Sequence, residues 1–272
     1  MAVILIAAFL AVFIAGKIAD LNIRYVPGYE KIDLSGYPGI ETGVFSGDDY
    51  EVIFRQTGLG KAAVDDIFHT ARNPVGVLED YQERFFDPPA YKCGSIGIVT
   101  SEERLYDEDG NITRGFVIEG VRDGDIFITK ATHSVGWRHG HAAIVTDAAK
   151  GETLEAVLWG KPSMFQNVSK WRTYPTFIQL RLNDEKAAKE AAEFAKENLA
   201  DIDYGLFTGL FSKKNGEINV TQCAHLPWRS YMQYGYDFDP NGGWLVTPKD
   251  ITGSEYLEVV QIYGVDPAAL WK

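Results

Sequence analysis

A chain of 272 residues with 46% apolar and 13% aromatic side chains can bury one substantial core and a smaller second unit, as an ordinary globular protein does. Its 26 basic residues stand against 38 acidic ones, and no Lys/Arg cluster offers a counterion-releasing surface, which excludes nucleic acid as a partner. Two cysteines, Cys93 and Cys223, are too few for a disulfide framework, although a bridge between them would block chemistry at either.

In chain order, Met1 to Gly16 (MAVILIAAFLAVFIAG) carries no charge and is followed at once by Lys17. The apolar run is continuous rather than amphipathic. It lacks the basic start of a secretory signal, and cleavage after Ala15 would put Phe13 where a small side chain is favoured. The expectation is an uncleaved membrane anchor over residues 1–20 that holds the protein at the extracytoplasmic face; a cleaved signal or a buried core helix are the alternatives. Residues 21–115 are rich in turn signals (VPGY, GYPG, SGDD, DPPA) and read as a small irregular accessory segment of unknown role. One helix is expected there, at Lys61 to Thr70, and a hairpin tip at Asp107 to Asn111. His69, near the end of that helix, reads as a surface or capping residue, and Gln56 to Gly60 (QTGLG) is a weak anion-cradle motif.

From residue 116 the texture becomes β-branched. Asp125–Thr129, His141–Thr146, Thr153–Leu158 and Thr176–Leu180 read as four strands of one sheet. Asn183 is expected to cap a long helix that packs on the sheet through Ala188, Ala191, Ala192, Ala195 and Leu199. A second helix is expected from Gln222 to Tyr234, ended by Gly235. Strands followed by helices argue for an α+β domain over residues 116–272.

Cys223 would then sit in the first turn of the second helix with Thr221 as N-cap, where unpaired N–H groups and the helix dipole favour a thiolate and can hold an oxyanion. A buried structural cysteine is the competing reading. A nucleophilic thiol needs a base, and His141, opening a strand, is the best placed histidine. Glu155 on the next strand shares a face with His141 if Thr146 lies opposite Lys150 or Glu152, so that the carboxylate can orient the imidazole; otherwise it is a solvated edge residue. His139 is expected to line the pocket and His225 to be a packing residue, rotated about 200° from Cys223. Zinc ligation by His133, His139, His141, Glu155 or Cys223 lacks any paired spacing such as HExxH or CxxC, so no metal or other cofactor is expected. Trp137, Trp159, Trp171 and Trp228 could line a groove, but such residues more often fill the core, and they receive no role.

These residues, in this order, resemble the circularly permuted papain-like amidases of the NlpC/P60 superfamily, in which the histidine precedes the cysteine. The resemblance spans about Asp123 to Gly264 and is carried by Gly124-Asp-Ile-Phe-Ile-Thr, Gly140-His-Ala-Ala-Ile-Val, Leu154-Glu-Ala, Ile202-Asp-Tyr, Cys223-Ala-His-Leu-Pro-Trp and Val246-Thr-Pro-Lys-Asp. It implies a papain-like domain with an antiparallel sheet packed by helices. It also implies a Cys223 nucleophile, a His141 base, Glu155 as the third polar residue, and Tyr204 beside the nucleophile; Tyr204 otherwise reads as a half-buried aromatic. Ala224-His225 departs from the small polar and acidic residues usual after the cysteine. The implied activity is hydrolysis of an amide or peptide bond, in a peptide or acyl-amide substrate such as a cell-wall stem peptide, through an acyl-enzyme. A thiol acyltransferase or lipid esterase on the same fold, and a ligand-binding module with a vestigial site, are the two rivals.

Overall fold

The computed structural model describes residues 11, 14, 23–134, 136–205, 218–242 and 245–271. Apart from Ala11 and Ile14, the anchor expected over residues 1–20 lies outside them. Among the described residues no helix is long and apolar enough to cross a membrane.

The front of the chain is more regular than its turn residues suggest. Four helices run in succession: α1 (Pro38–Thr42), α2 (Gly47–Thr57), α3 (Lys61–Thr70) and α4 (Pro74–Phe86). Several motifs that read as turns are helix starts. Ser46 and Asp49 of the SGDD run form a capping box, while Pro38 and Pro74 take first-turn positions where a missing N–H removes no helical bond. The expected α3 has the bounds read from the sequence. The helices bury Ile53, Leu59, Val64, Ile67 and Leu78 together with Val260, which comes from a strand near the C-terminus. Gly58 and Gly60 lie directly on the backbone of Ile262 and Val259, where a Cβ has no room, so the QTGLG run serves packing rather than anion binding.

Two strands follow, β1 (Ala90–Ser95) and β2 (Thr100–Tyr106). The expected tight turn at Asp107–Asn111 then forms, with Asp107 N–H donating to the Asn111 carbonyl at 2.9 Å. The remaining strands are β3 (Ile126–Thr129), β4 (Thr132–Ser134), β5 (His141–Asp147), β6 (Glu152–Glu155), β7 (Met164–Asn167), β8 (Phe177–Leu182), β9 (Asp203–Tyr204), β10 (Val220–Thr221) and β11 (Leu257–Tyr263). The four expected strands are β3, β5, β6 and β8, neighbours in a six-stranded antiparallel sheet of order β11-β8-β3-β5-β6-β7. A three-stranded sheet, β1-β2-β4, and a short parallel pair, β9-β10, complete a mixed α+β fold.

Strand alternation gives the main sheet two apolar faces. Ile126, Ile128, Ala142, Ile144, Ile178 and Leu180 enter one core, under α5 (Glu185–Asn198) and α6 (His225–Met232). Phe127, Ala143, Val145 and Phe177 enter the other, an aromatic layer with Phe116, Trp171, Tyr174 and Tyr263. The alanine face of α5 is buried as expected, though its cap is Asp184 rather than Asn183: the Asp184 carboxylate accepts the Ala187 N–H at 3.0 Å. The second expected helix is shorter than read. Thr221 stays extended in β10 and Gln222 Oε1 takes the Ala224 N–H at 2.9 Å, so α6 begins only at His225. A last helix, α7 (Pro248–Thr252), is closed by a Thr247–Asp250 capping box.

Candidate active site

The β5–β6 connection decides whether His141 and Glu155 can meet. Val145 faces Thr153 and Ile144 faces Leu154, the register that a Thr146–Glu152 pairing would give; a bulge at the turn brings Asp147 opposite Glu152 instead. Continued along the strands, this register places Glu155 across from Ala143, one step diagonally from His141 and on the same face. Gly140 precedes His141 with φ +73°, pressed between Trp271 and the Thr129 carbonyl, which lets the chain turn into β5 at that point.

His141 Nε2 and Glu155 Oε2 are hydrogen-bonded at 2.8 Å. Glu155 is fully buried and its oxygens accept three further bonds: Lys170 Nζ at 2.7 Å, Trp171 Nε1 at 2.9 Å and Thr153 Oγ1 at 3.0 Å. Burial alone would raise its pKa, but Lys170 and His141 hold the carboxyl well below the usual carboxylate range. The imidazole lies flat against the Trp171 ring, with centroids 5.4 Å apart and planes 8° from parallel.

The same imidazole interacts with the Cys223 thiol. Burial opposes its charge, yet hydrogen bonding to Cys223 and Glu155 and the negative charge of both outweigh that cost and raise its pKa to about 9. Cys223 is buried in the turn that leads into α6, not in the helix's first turn as expected; its Sγ also reaches Gln222 Oε1 at 3.5 Å. Gln222 is itself tied down, donating through Nε2 to the Val246 carbonyl at 2.8 Å. Neither Cys93 nor Cys223 is in a disulfide, so no bridge blocks Cys223.

The parallel pairing of Thr221 with Tyr204 explains how a residue 19 positions upstream comes beside the Cys223 loop. Tyr204 borders a small cleft with Trp137, His139, Gln222, Cys223 and Val246. Burial, and then the Cys223 charge, raise its pKa, so its hydroxyl is a neutral donor. His139 lines this cleft as expected. It is bonded to Ser134 Oγ at 3.0 Å and the Gly140 carbonyl at 2.7 Å, and burial lowers its pKa to about 4. His225 is the expected packing residue: it contacts Thr221 Oγ1 at 3.0 Å and the Trp228 ring, and burial again lowers its pKa to about 4. A wider cleft between Val121–Asp125 and the start of α5 has no Cys, Ser, Thr or His among its described lining residues, and Arg181–Asp125 and Arg122–Glu185 ion pairs neutralise part of its charge.

Three participants, Thr153, Lys170 and Trp171, receive no role at the site from the sequence, Trp171 being read only as a groove or core aromatic. Thr153 is two residues before Glu155 on one strand face, a relation that the period of two contains. Lys170 and Trp171 belong to a 3-10 turn (Val168–Thr173) with no local signature, and they reach Glu155 only through the fold. His133, weighed with His139 and His141 as a zinc ligand, lies instead beside Cys93 and Glu103.

The fold and site thus define an α+β protein in which Cys223, His141 and Glu155 converge at one end of an antiparallel sheet. No protein-family model matches the chain, and no curated protein matches its sequence.

Proposed function

We propose that the chain is a cysteine-dependent hydrolase of amide or peptide bonds that works through an acyl-enzyme, in the manner of the permuted papain-like amidases it resembles. The observation that carries this reading is one imidazole shared between the Cys223 thiol and a buried, four-times hydrogen-bonded Glu155 at the edge of a cleft. With Nε2 held by Glu155, Nδ1 is the ring nitrogen left for the thiol proton. Cys223 sulfur attacks the carbonyl carbon, and the negative charge that develops on oxygen is met by the Cys223 N–H and the Tyr204 hydroxyl. The His141 imidazolium protonates the leaving nitrogen as the C–N bond breaks. It then takes a proton from water, whose oxygen displaces sulfur and releases the acid.

The charge pattern supports this division of labour. Lys170 offsets Glu155, so the carboxylate stays an orienting anion, and the imidazolium is free to offset the thiolate. The uncharged apolar run over residues 1–16 supports a place at the extracytoplasmic face of a membrane, while the substrate, a peptide or acyl-amide such as a cell-wall stem peptide, rests on the resemblance. A vestigial binding module is the weaker reading, because it calls for scattered residues or a Cys93–Cys223 bridge, and neither cysteine is in a disulfide. An acyltransferase using lipid chains calls for a deep apolar channel to Cys223, and the cleft there is small.

The test is iodoacetamide labelling of Cys223, resolved from Cys93 by peptide mass mapping, across pH and in His141→Ala and Glu155→Ala. It is followed by trapping of an acyl-enzyme with a panel of peptide amides and acyl esters. Rapid labelling at neutral pH that both substitutions slow, and a Cys223-linked acyl adduct, are expected. Labelling indifferent to both substitutions, with no adduct from any substrate, would overturn the proposal.

A further inference from the structure

A second constellation lies on the small sheet, outside the lining of the Cys223 cleft, and follows from strand register. Cys93 of β1 stands directly opposite Glu103 of β2, and His133 of β4 stands opposite Ser101, two residues from Glu103. Residues two apart on a strand share a face, so a thiol, a carboxylate and an imidazole from three adjacent strands project together. Cys93 Sγ is 3.5 Å from His133 Nε2, and His133 Nε2 is 3.5 Å from Glu103 Oε1. One donor atom from each residue lies within 4.8 Å of the others.

We propose that Cys93, Glu103 and His133 bind a zinc ion. Zinc takes sulfur at about 2.3 Å and nitrogen or carboxylate oxygen at about 2.0–2.2 Å in a tetrahedron, whose edges are then about 3.5 Å for S···N and about 3.4 Å for N···O. The observed S···N and N···O separations match both edges, and the sulfur and carboxylate oxygen lie within 4.8 Å of each other, so the three side chains stand close to ligand spacing. The donor set selects the metal: thiolate and imidazole suit zinc, whereas calcium and magnesium require oxygen ligands. His133 and Glu103 are buried, and Cys93 is exposed on the sheet's edge strand, which provides an entry path and leaves the fourth position to solvent.

Arg138 supplies outer support. Its Nη2 and Nη1 hold Glu103 Oε1 and Oε2 at 2.8 and 3.2 Å, and Nη1 also donates to the Lys130 carbonyl at 2.7 Å. The carboxylate is therefore oriented before metal arrives. The guanidinium charge offsets part of the attraction, while a Cys93 thiolate and the Glu103 carboxylate together balance the dication. The bound ion would staple β1, β2 and β4 near the turn that carries His139 to the cleft, a role separate from the chemistry at Cys223.

The test uses the purified full chain, stripped with a chelator and titrated with Co2+ as a spectroscopic stand-in, then with Zn2+ in competition. A thiolate-to-cobalt charge-transfer band with one-to-one stoichiometry is expected, displaced by zinc. It should vanish in Cys93→Ser and persist in Cys223→Ser. Zinc affinity should fall roughly a hundredfold or more in Cys93→Ser, exceeding the loss typical of outer-shell changes. Cys93 is exposed and contributes nothing to the cores, so this variant keeps its fold, and the melting temperature should rise with zinc only when Cys93 is present. Absence of the band in the unaltered chain, or a band that survives Cys93→Ser or follows Cys223, would overturn the proposal.

Discussion

Replacing Glu155 by Gln alters charge and hydrogen-bonding polarity while preserving shape. In the native protein each carboxylate oxygen serves two donors, Trp171 Nε1 with Thr153 Oγ1 and His141 Nε2 with Lys170 Nζ. The amide oxygen of Gln can keep the first pair. Its NH2 then faces the second, leaving the Lys170 ammonium, only 22% exposed, opposite a donor. Breaking a buried ion pair on one side costs about 3–5 kcal/mol, and Lys170's partial exposure puts the expectation at the low end, about 3 kcal/mol. The catalytic effect comes from the imidazole. An NH2 group donating to Nε2 selects the tautomer with hydrogen on Nδ1, which cannot take the Cys223 proton, and the loss in rate should be about 10³–10⁴-fold. The assay is Cys223 alkylation by mass spectrometry beside equilibrium urea denaturation, extended to turnover once a substrate is trapped. A Glu155→Gln protein labelled within a few-fold of the native rate, with stability unchanged to about 0.5 kcal/mol, would refute the argument that Glu155 fixes the ring.

His141 should couple stability to pH. Its folded pKa, about 9, lies above the ordinary value of about 6.5, so the extra stability is complete below pH 6.5 and is lost as pH rises through about 9. The gap corresponds to about 3 kcal/mol, measurable as the difference between native and His141→Gln denaturation at pH 6 and pH 10, and a difference that does not change with pH contradicts it. Tyr204→Phe should leave stability within about 1 kcal/mol but cut turnover about 10²-fold or more if the hydroxyl meets the oxyanion, as single donors of that kind do; equal kcat in the two proteins would remove that role. Gly140→Ala places a Cβ 2.6 Å from the Thr129 carbonyl at a positive φ, so a loss of about 2–3 kcal/mol and slower Cys223 labelling are expected, the first read from urea melts and the second from mass spectrometry.

What the sequence discloses and what it hides divide along physical lines. The four central strands and the alanine face of α5 are legible because their periodicities reflect burial that each segment meets largely on its own. The His141–Glu155 alignment is legible for a related reason: a hairpin register carries a face assignment, and a bulge at the turn does not alter the parity upstream. The front helices are concealed because a capping box and a first-turn proline use the same residues as a turn, so SGDD and GYPG carry both meanings. The start of α6 is misplaced because Thr221 looks like a cap but is held in β10 by a strand from another part of the chain. Lys170 and Trp171 have no sequence signal, since their partner Glu155 lies 15 and 16 residues away and is reached only once β7 and the 3-10 turn fold back over β6.

The position of the site follows from the two cores. The ring of His141 lies on Trp171, which belongs to the aromatic layer, while Cys223 directly precedes Ala224 and Leu226, which belong to the helical layer. The Cys223 thiol and the His141 ring are therefore carried by opposite faces of one sheet and meet at its end, so their separation depends on how both layers pack. Close-packed interiors transmit displacement, and a truncation that shifts either layer by a fraction of an ångström moves one partner relative to the other. Glu155 limits that sensitivity on one side, because Trp171 holds both the ring, by stacking, and the carboxylate, by hydrogen bond, so base and orienter move as a unit with the aromatic layer. Cys223 has no equivalent tie to that unit beyond His141 itself. Its position is set by Gln222, which links the loop to the Val246 carbonyl and hence to the segment leading into α7. Gln222 thus positions the thiol of the proposed nucleophile, Cys223, and the cleft wall formed by Val246, Thr247 and Pro248 is the part of the fold whose movement would tune the distance between sulfur and imidazole.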